Sequence, residues 1–344
     1  ATINYPNELS KSNKTFKETD INKYFSYKNI NASSLKNLDD YILNSQLQTN
    51  EITEIKNLRS NIRKILSKKE FILDVSSSHI YSFELIKLIY SLDLPISIQW
   101  DQSNKKAIFQ RPITEKISGF CSSIYEDAQV AISKKINGLE RSTLIIYSPK
   151  YSKIQGLLSK QFPEAQSIQF NEGNEQKFTS KVLGINDSKK RFEKIIALNP
   201  NQKLKFAPRP RSDIKNIVLL LEPDQYKSVL PAFRYHGGEK FQYINFISSL
   251  ENLDTANQLL DFENSLIPFP FHLSNKIQDK EIFSLASLIQ LSILNDWLLI
   301  EVIQQSGVRN AKISGMTGDL GYQRGSCTKR SIPMQRINAT WVNS

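Results

Sequence analysis

The sequence contains few of the residues that usually mark chemistry. It has two cysteines, Cys121 and Cys327, and neither belongs to a CxxC pair or a Cys/His cluster with metal-ligand spacing. That argues against a structural zinc. It leaves the compartment open, because two isolated cysteines suit either a reduced chain or one with a single disulfide. The three histidines, His79, His236 and His272, are scattered, with no serine or cysteine nucleophile motif beside them, so each reads as a turn or surface residue. A glycine-rich dinucleotide loop, a P-loop, HExxH and GxSxG are all absent. Long apolar runs are missing too. The most apolar stretch, residues 285–303, is interrupted by Gln290, Asn295, Asp296 and Glu301, which reads as a buried helix rather than a membrane span. The sequence opens at Ala1 without an apolar signal region or a lipidation cysteine, so an export signal or anchor is expected to have been removed or to lie outside it.

What is present suffices for a folded protein. The chain has 344 residues, 40% of them hydrophobic, with 18 Phe, 13 Tyr and 3 Trp, enough apolar surface to offset chain entropy over two ordinary domains or one bilobed unit. Basic residues outnumber acidic ones, 45 to 34, giving +11 and a preference for anionic partners. The positive charge is dispersed in short clusters such as Lys68-Lys69, Lys134-Lys135 and Lys189-Lys190-Arg191, a solvated basic surface rather than a nucleic-acid stripe.

Hydrophobic periodicity gives the element order. After a polar tail over residues 1–20, apolar residues from Leu35 to Leu47 and from Ile52 to Ile65 recur mostly at spacings of three and four, predicting two amphipathic helices. Strand 71–75, polar turn Ser76-Ser77-Ser78, a helix and strand 94–100 form a βαβ unit. A helix over 124–136 stops at Asn137-Gly138, and strand 143–147 follows. The alternation continues through helix 152–161, strand 167–170, helix 188–197, strand 216–221, helix 225–235 and strand 242–246. Such alternation calls for parallel sheets covered by helices on both faces. Residues 200–210 and 268–270 read as proline-limited linkers, and the glycines from Gly315 to Gly325 as a turn leading into a hairpin-like return over 332–342.

Ligands of open α/β sheets collect at the carboxyl ends of strands. Here those ends are Ser76, Ser77 and Ser78, Trp100 and Asp101, and Ser148 to Tyr151. The serines could equally cap the next helix, and Trp100 fits core packing better than stacking on a ligand. Carboxylate pairs Glu126-Asp127 and Asp261/Glu263 read as solvated faces rather than acid–base machinery.

Three segments carry a family resemblance. The first runs from Arg209-Pro210-Arg211-Ser212-Asp213-Ile214 into Asn216-Ile217-Val218-Leu219 and on through Pro223 to Leu230-Pro231. The second is Gly315-Met316-Thr317-Gly318-Asp319-Leu320, followed by Cys327, Arg330 and Ile332. The third is Glu126-Asp127-Ala128 with strand Leu144-Ile145-Ile146 behind it. In order and spacing these resemble the C-terminal domain of the penicillin-binding-protein activator lipoproteins over about residues 71–342. The sequence departs from the family where Val75-Ser76-Ser77 stands in place of a Gly-Pro-Leu, and where no first βαβ unit precedes Ser67.

The resemblance implies an α/β, two-lobed, type I periplasmic-binding-protein-like fold, each lobe a parallel sheet flanked by helices, with an extra helical segment at residues 1–66. It places lobe one at 67–118 plus 255–315 and lobe two at 119–254 plus 316–344. It implies a non-enzymatic periplasmic protein, without metal or cofactor, tethered to the inner face of the outer membrane by an anchor absent from this chain. The partner would be a class A bifunctional peptidoglycan synthase, with peptidoglycan itself a further one and no nucleic acid. The alternative is a periplasmic solute-binding protein closing on a small polar ligand. In an oxidising periplasm the same fold would allow a bridge between Cys121 and Cys327.

Overall fold

The structure, a computed structural model, describes residues 26, 30–44, 48–76, 82–101, 115–138, 142–171, 173–198, 200, 204–253, 256–269 and 285–338. The polar tail over 1–20, Ser77, Ser78, His79, His272 and the end of the 332–342 return lie outside them. The chain divides into two compact units: residues 1–127 with 287–332, and residues 128–286 with 333–344.

Unit two is built on a six-stranded sheet. Its strands are β3 (Thr143–Tyr147), β4 (Gln166–Gln169), β5 (Asn216–Leu220), β6 (Gln242–Asn245), β7 (Leu266–Pro268) and β11 (Met334–Arg336), in spatial order β11-β7-β6-β5-β3-β4. Neighbours from β4 to β7 pair in parallel, and β11 alone is antiparallel, opposite β7. The first five strands follow the doubly wound 2-1-3-4-5 order, with the direction of winding reversing between β3 and β5. All five residues of β5 are buried, which is why Asn216-Ile217-Val218-Leu219-Leu220 is an uninterrupted apolar run after its first residue. Edge strand β4 is largely exposed and correspondingly polar.

The helices following these strands are α5 (Ser152–Gln161), α6 (Glu175–Val182), α7 (Ile185–Leu198) and α8 (Pro223–Tyr235). Pro223 sits in the first turn of α8, where its missing N–H costs nothing, and Glu222 and Gln225 close a capping box there. Helix α6 was not expected. Only Phe178 and Val182 mark its apolar side, but Asn174 caps it by accepting a hydrogen bond from the Lys177 amide at 2.8 Å. Residues 204–210 are irregular, as their prolines require, whereas Pro268 closes β7 instead of belonging to a linker.

Unit one holds α1 (Ala32–Asn44), α2 (Thr49–Leu66), β1 (Phe71–Ser76), α3 (Ser82–Leu92) and β2 (Ile96–Asp101). Strands β1 and β2 pair in parallel, from Phe71↔Ile96 to Ser76↔Asp101, so the βαβ unit forms. Among the described residues this is the whole parallel sheet of unit one. Helix α4 (Ile124–Asn137) starts in unit one and α9 (Leu285–Gln305) lies almost wholly in it. Despite its apolar character, α9 joins the other described helices in being too short or too polar to cross a membrane. An antiparallel sheet in the order β10-β9-β8 completes the unit, from β8 (Asn310–Gly315), β9 (Gly318–Gln323) and β10 (Lys329–Ser331).

The expected lobe boundaries are corrected in three places. Helices α1 and α2 belong to unit one rather than to a separate segment: Asn61 Nδ2 donates to the Asn310 carbonyl at 3.0 Å and Lys68 Nζ to that of Gln305 at 2.6 Å. Residues 255–286 belong with unit two, because β7 extends its sheet. The hairpin after Gly315 belongs to unit one, and only residues after 332 return to unit two. The physical cause is local pairing: β9 is bound to β8 along six registered pairs, and residues 119–121 pair with residue 328.

Candidate functional site

The chemistry-bearing side chains of unit one converge on its terminal hairpin. Cys121 and Cys327 are joined in a disulfide with Cα atoms 4.9 Å apart. Beside it, the Cys121 amide donates to the Thr328 carbonyl at 2.9 Å and the Thr328 amide to that of Gly119 at 2.7 Å. Two residues on, the Arg330 guanidinium lies 4.3 Å above the Phe120 ring and pairs with Asp127 at 3.2 Å, the two side chains being 2% and 6% exposed. Expected as part of a solvated face, Asp127 is buried: it occupies the first turn of α4, accepts a hydrogen bond from Ser122 Oγ, and faces the hairpin. Burial raises its pKa against the opposing pull of Ser122 and Arg330, and burial lowers that of Arg330.

The turn of the hairpin is clasped by a second carboxylate. Asp296, fully buried in α9, accepts hydrogen bonds from the Met316 amide at 2.6 Å, the Thr317 amide at 2.8 Å and the Thr317 hydroxyl. This explains the glycines around it. A Cβ on Gly315 would stand 2.8 Å from the Asp296 carboxylate, and one on Gly318, whose φ is +121°, would stand 2.3 Å from the Ser331 carbonyl oxygen. Burial raises the pKa of Asp296, and its three donors only partly oppose that. The sequence marks Asp296 as an interruption of an apolar helix and residues 315–325 as a turn, but not that the one holds the other.

An open groove of about 800 Å³ lies between α2 and the β8–β9 hairpin. Asn57, Asn61, Asn310 and Gln323 line it with amides, Lys312 and Lys329 with charge, and the disulfide forms part of its wall. None of these except the cysteines stood out in the sequence, because the groove is assembled from segments some 250 residues apart.

The strand-end candidates separate by unit. In unit one the β1–β2 register sets Ser76 beside Asp101 and Val75 beside Trp100. Trp100 is 46% exposed, so it does not fill a core as the sequence suggested; among the described residues β2 pairs with β1 alone. Ser148 and Tyr151 belong to unit two, at the carboxyl end of β3, and both are buried. Much of that sheet edge is closed by its own side chains. Tyr226 Oη accepts from the Leu221 and Phe246 amides, each at 3.2 Å, and donates to the Leu219 carbonyl at 2.6 Å. Tyr151 and Phe246 meet edge to face, centroids 5.5 Å apart. The side-chain amide of Asn245 and the hydroxyl of Ser148, both fully buried there, have no hydrogen-bond partner among the described residues.

His236 caps the C-terminal end of α8, its Nε2 3.1 Å from the Gln176 carbonyl oxygen. The Arg211-Ser212-Asp213 step before β5 is held by an ion pair in which Arg211 Nε donates to Asp213 at 2.7 Å. No group of three or more His, Cys, Asp or Glu side chains able to hold a metal occurs among the described residues.

No model of a known protein family matches the chain, and no curated protein does. Among solved structures it is similar to full-length LpoA from Haemophilus influenzae, with 11% identity, a TM-score of 0.40, and coverage of 90% of this chain and 56% of that one. It is also similar to an ABC transporter substrate-binding protein from Desulfitobacterium hafniense in complex with Leu, with 9% identity, a TM-score of 0.37, and coverage of 73% and 92%. A third is an extracellular ligand-binding receptor from Verminephrobacter eiseniae, with 9% identity, a TM-score of 0.37, and coverage of 89% and 84%. The chain thus spans little more than half the length of the Haemophilus protein. The α/β class, with parallel sheets flanked by helices, rests on the strand order itself.

Proposed function

We propose that this chain is a non-catalytic envelope protein that binds a class A bifunctional peptidoglycan synthase and stimulates it. In this reading it acts in the periplasm, tethered to the inner face of the outer membrane through an anchor outside the sequence. The observation that carries the reading is the convergence of two of the segments that resemble the activator lipoproteins. Asp127 of Glu126-Asp127-Ala128 pairs with Arg330 beyond the Gly315–Leu320 turn, and the disulfide closes over the same place. These residues brace one another, which suits a protein that offers a rigid surface instead of reactive groups. The disulfide also suits an oxidising compartment. Stimulation would then follow from tighter binding to the active conformation of the synthase than to its resting one. Capture of a class A synthase on the immobilised chain, with a faster glycan polymerisation rate when the chain is added, is the expected result. Absence of both capture and any change in rate would overturn the reading.

A second reading has its own support. The unpartnered Asn245 amide and Ser148 hydroxyl stand at the carboxyl edge of the unit-two sheet, near the reversal between β3 and β5 where such folds gather ligands. A solute-binding protein would use them to hold a small polar ligand. Calorimetric heat with free amino acids, abolished by Asn245→Leu, is what that reading expects, and silence across the amino acids counts against it.

A further inference from the structure

We propose that α7, with residues 204–209 laid along it, docks the chain on the surface of an anionic phospholipid bilayer. The contact is separate from synthase recognition and from any lipid anchor. The starting point is an amphipathic helix whose apolar side finds little use in packing. Ile185, Phe192, Ile195 and Ile196 fall on one face of α7, yet Ile185 is its only buried residue. Ile195 is 51% exposed and Leu198, in the last turn, 85%. The chain then returns along the same face. The Arg211 amide donates to the Leu183 carbonyl at 2.8 Å, the Arg209 amide donates to Ser188 Oγ at 3.3 Å, and the Phe206 ring stacks on Phe192 with centroids 4.3 Å apart. These contacts run antiparallel to α7 and bring Leu204 level with its last turns. Leu204 and Phe206 are exposed as well, so the returning segment widens the apolar strip instead of covering it.

Charge identifies what the strip would meet. Six cations surround it: Lys189, Lys190, Arg191, Lys194, Lys205 and Arg209, all exposed and none in an ion pair among the described residues. Asp187 and Glu193 are the carboxylates on the same helix. Lys189 stands one turn before Phe192 and Arg191 one turn before Ile195, so the strip has a cation on either border. Basic side chains so placed rest their stems on apolar surface and reach lipid phosphates with their heads. Each cation adds to the attraction of an anionic bilayer, and the apolar side chains enter the headgroup boundary. A protein partner fits less well, because lysine is depleted from protein interfaces and four of these six cations are lysines. A second copy docked face to face would set like charges together. Nucleic acid would use the charge and leave the isoleucines exposed.

Flotation of the whole chain tests this with vesicles of phosphatidylcholine alone and of phosphatidylcholine mixed with phosphatidylglycerol, no synthase being present. Binding to the mixed vesicles is expected, and binding about tenfold weaker to phosphatidylcholine alone. Lys189→Glu/Lys205→Glu should weaken mixed-vesicle binding about thirtyfold. Ile195→Ser/Ile196→Ser, which leaves the charge unchanged, should weaken it about tenfold. Lys134→Glu/Lys153→Glu makes the same change of net charge at exposed positions of α4 and α5, and should keep binding within about twofold. An equal loss in the α4/α5 variant would show a net-charge effect, and full binding by the isoleucine variant a purely ionic one; either overturns the proposal. So does absence of mixed-vesicle binding, and a dimer in sedimentation that the isoleucine variant loses would then assign the strip to a second copy. Synthase capture is scored separately. Its failure beside retained vesicle binding overturns the synthase reading alone, and its success without vesicle binding overturns this proposal alone.

Discussion

Removal of the disulfide is the perturbation whose size the structure sets most directly. Cys121 and Cys327 are 206 residues apart, and in the chain-entropy model closing a loop of that length stabilises the folded state by about 5 kcal/mol. The topology lowers that figure under one condition. Residues 128–286 of the loop belong to unit two, so if unit two stays folded while unit one unfolds, only residues 122–127 and 287–326 remain free to be closed. The same relation then gives about 4 kcal/mol. Guanidinium unfolding of the wild type and the Cys121→Ser/Cys327→Ser double variant measures the difference. With both chains carrying Trp341→Phe, the remaining Trp100 and Trp297 belong to unit one and report on it by fluorescence, and circular dichroism reports on the whole. Fluorescence shifting alone favours the smaller figure, and coincident shifts the larger. A loss below about 1 kcal/mol would refute the argument and show that Asp127–Arg330 and the Asp296 clasp already restrain the unfolded chain.

Three further outcomes are expected. Asp296→Ala strands two backbone amides and a hydroxyl in a buried turn, so unit one should lose about 3 kcal/mol in denaturant unfolding, against under 0.5 kcal/mol if the clasp is incidental. Gly318→Ala should cost more than about 2 kcal/mol, because φ is +121° and the new methyl meets the Ser331 carbonyl, whereas Gly325→Ala, at φ +80° with open space, should cost about 1 kcal/mol; equal losses in thermal unfolding would contradict this. The raised pKa of Asp296 means that above its ordinary value of 3.8 the folded state holds more protons than the unfolded one. Stability from this group is therefore greatest below that value and is lost as pH rises through the folded pKa. The gap between wild type and Asp296→Asn, measured from about pH 4 to pH 7, should shift against the wild type as pH rises; a flat gap would refute it.

The sheet of unit two was legible because its central strands are buried on both faces and so must be written as apolar runs, as in Ile217-Val218-Leu219-Leu220. Helix α6 escaped because its apolar side amounts to two residues and its signal is a single capping asparagine, Asn174. The burial of Asp127 was not legible. An acidic residue in a first helical turn reads as a favourable dipole contact in water, and Arg330, which draws it inward, lies 203 residues away. Asp296 was visible as a misfit in an apolar helix, and the glycines of residues 315–318 as a turn, but only coordinates join a misfit to the turn that satisfies it. The expected lobe boundaries failed for a related reason: periodicity locates strands and says nothing of whether a hairpin pairs with itself or with a distant sheet.

Strand β11 is three residues long, yet among the described residues it forms the edge of the unit-two sheet beside β7 and is its sole antiparallel strand. Its pairing occupies the outer amides and carbonyls of β7, and Phe269 extends the contact by donating its amide to the Pro333 carbonyl. A chain ending before Met334 would leave β7 as an unprotected rim of hydrogen-bonding groups beside Ile267 and Phe269, which are fully buried when β11 is in place. Such a rim is open to pairing with another extended strand, and β11 keeps it occupied.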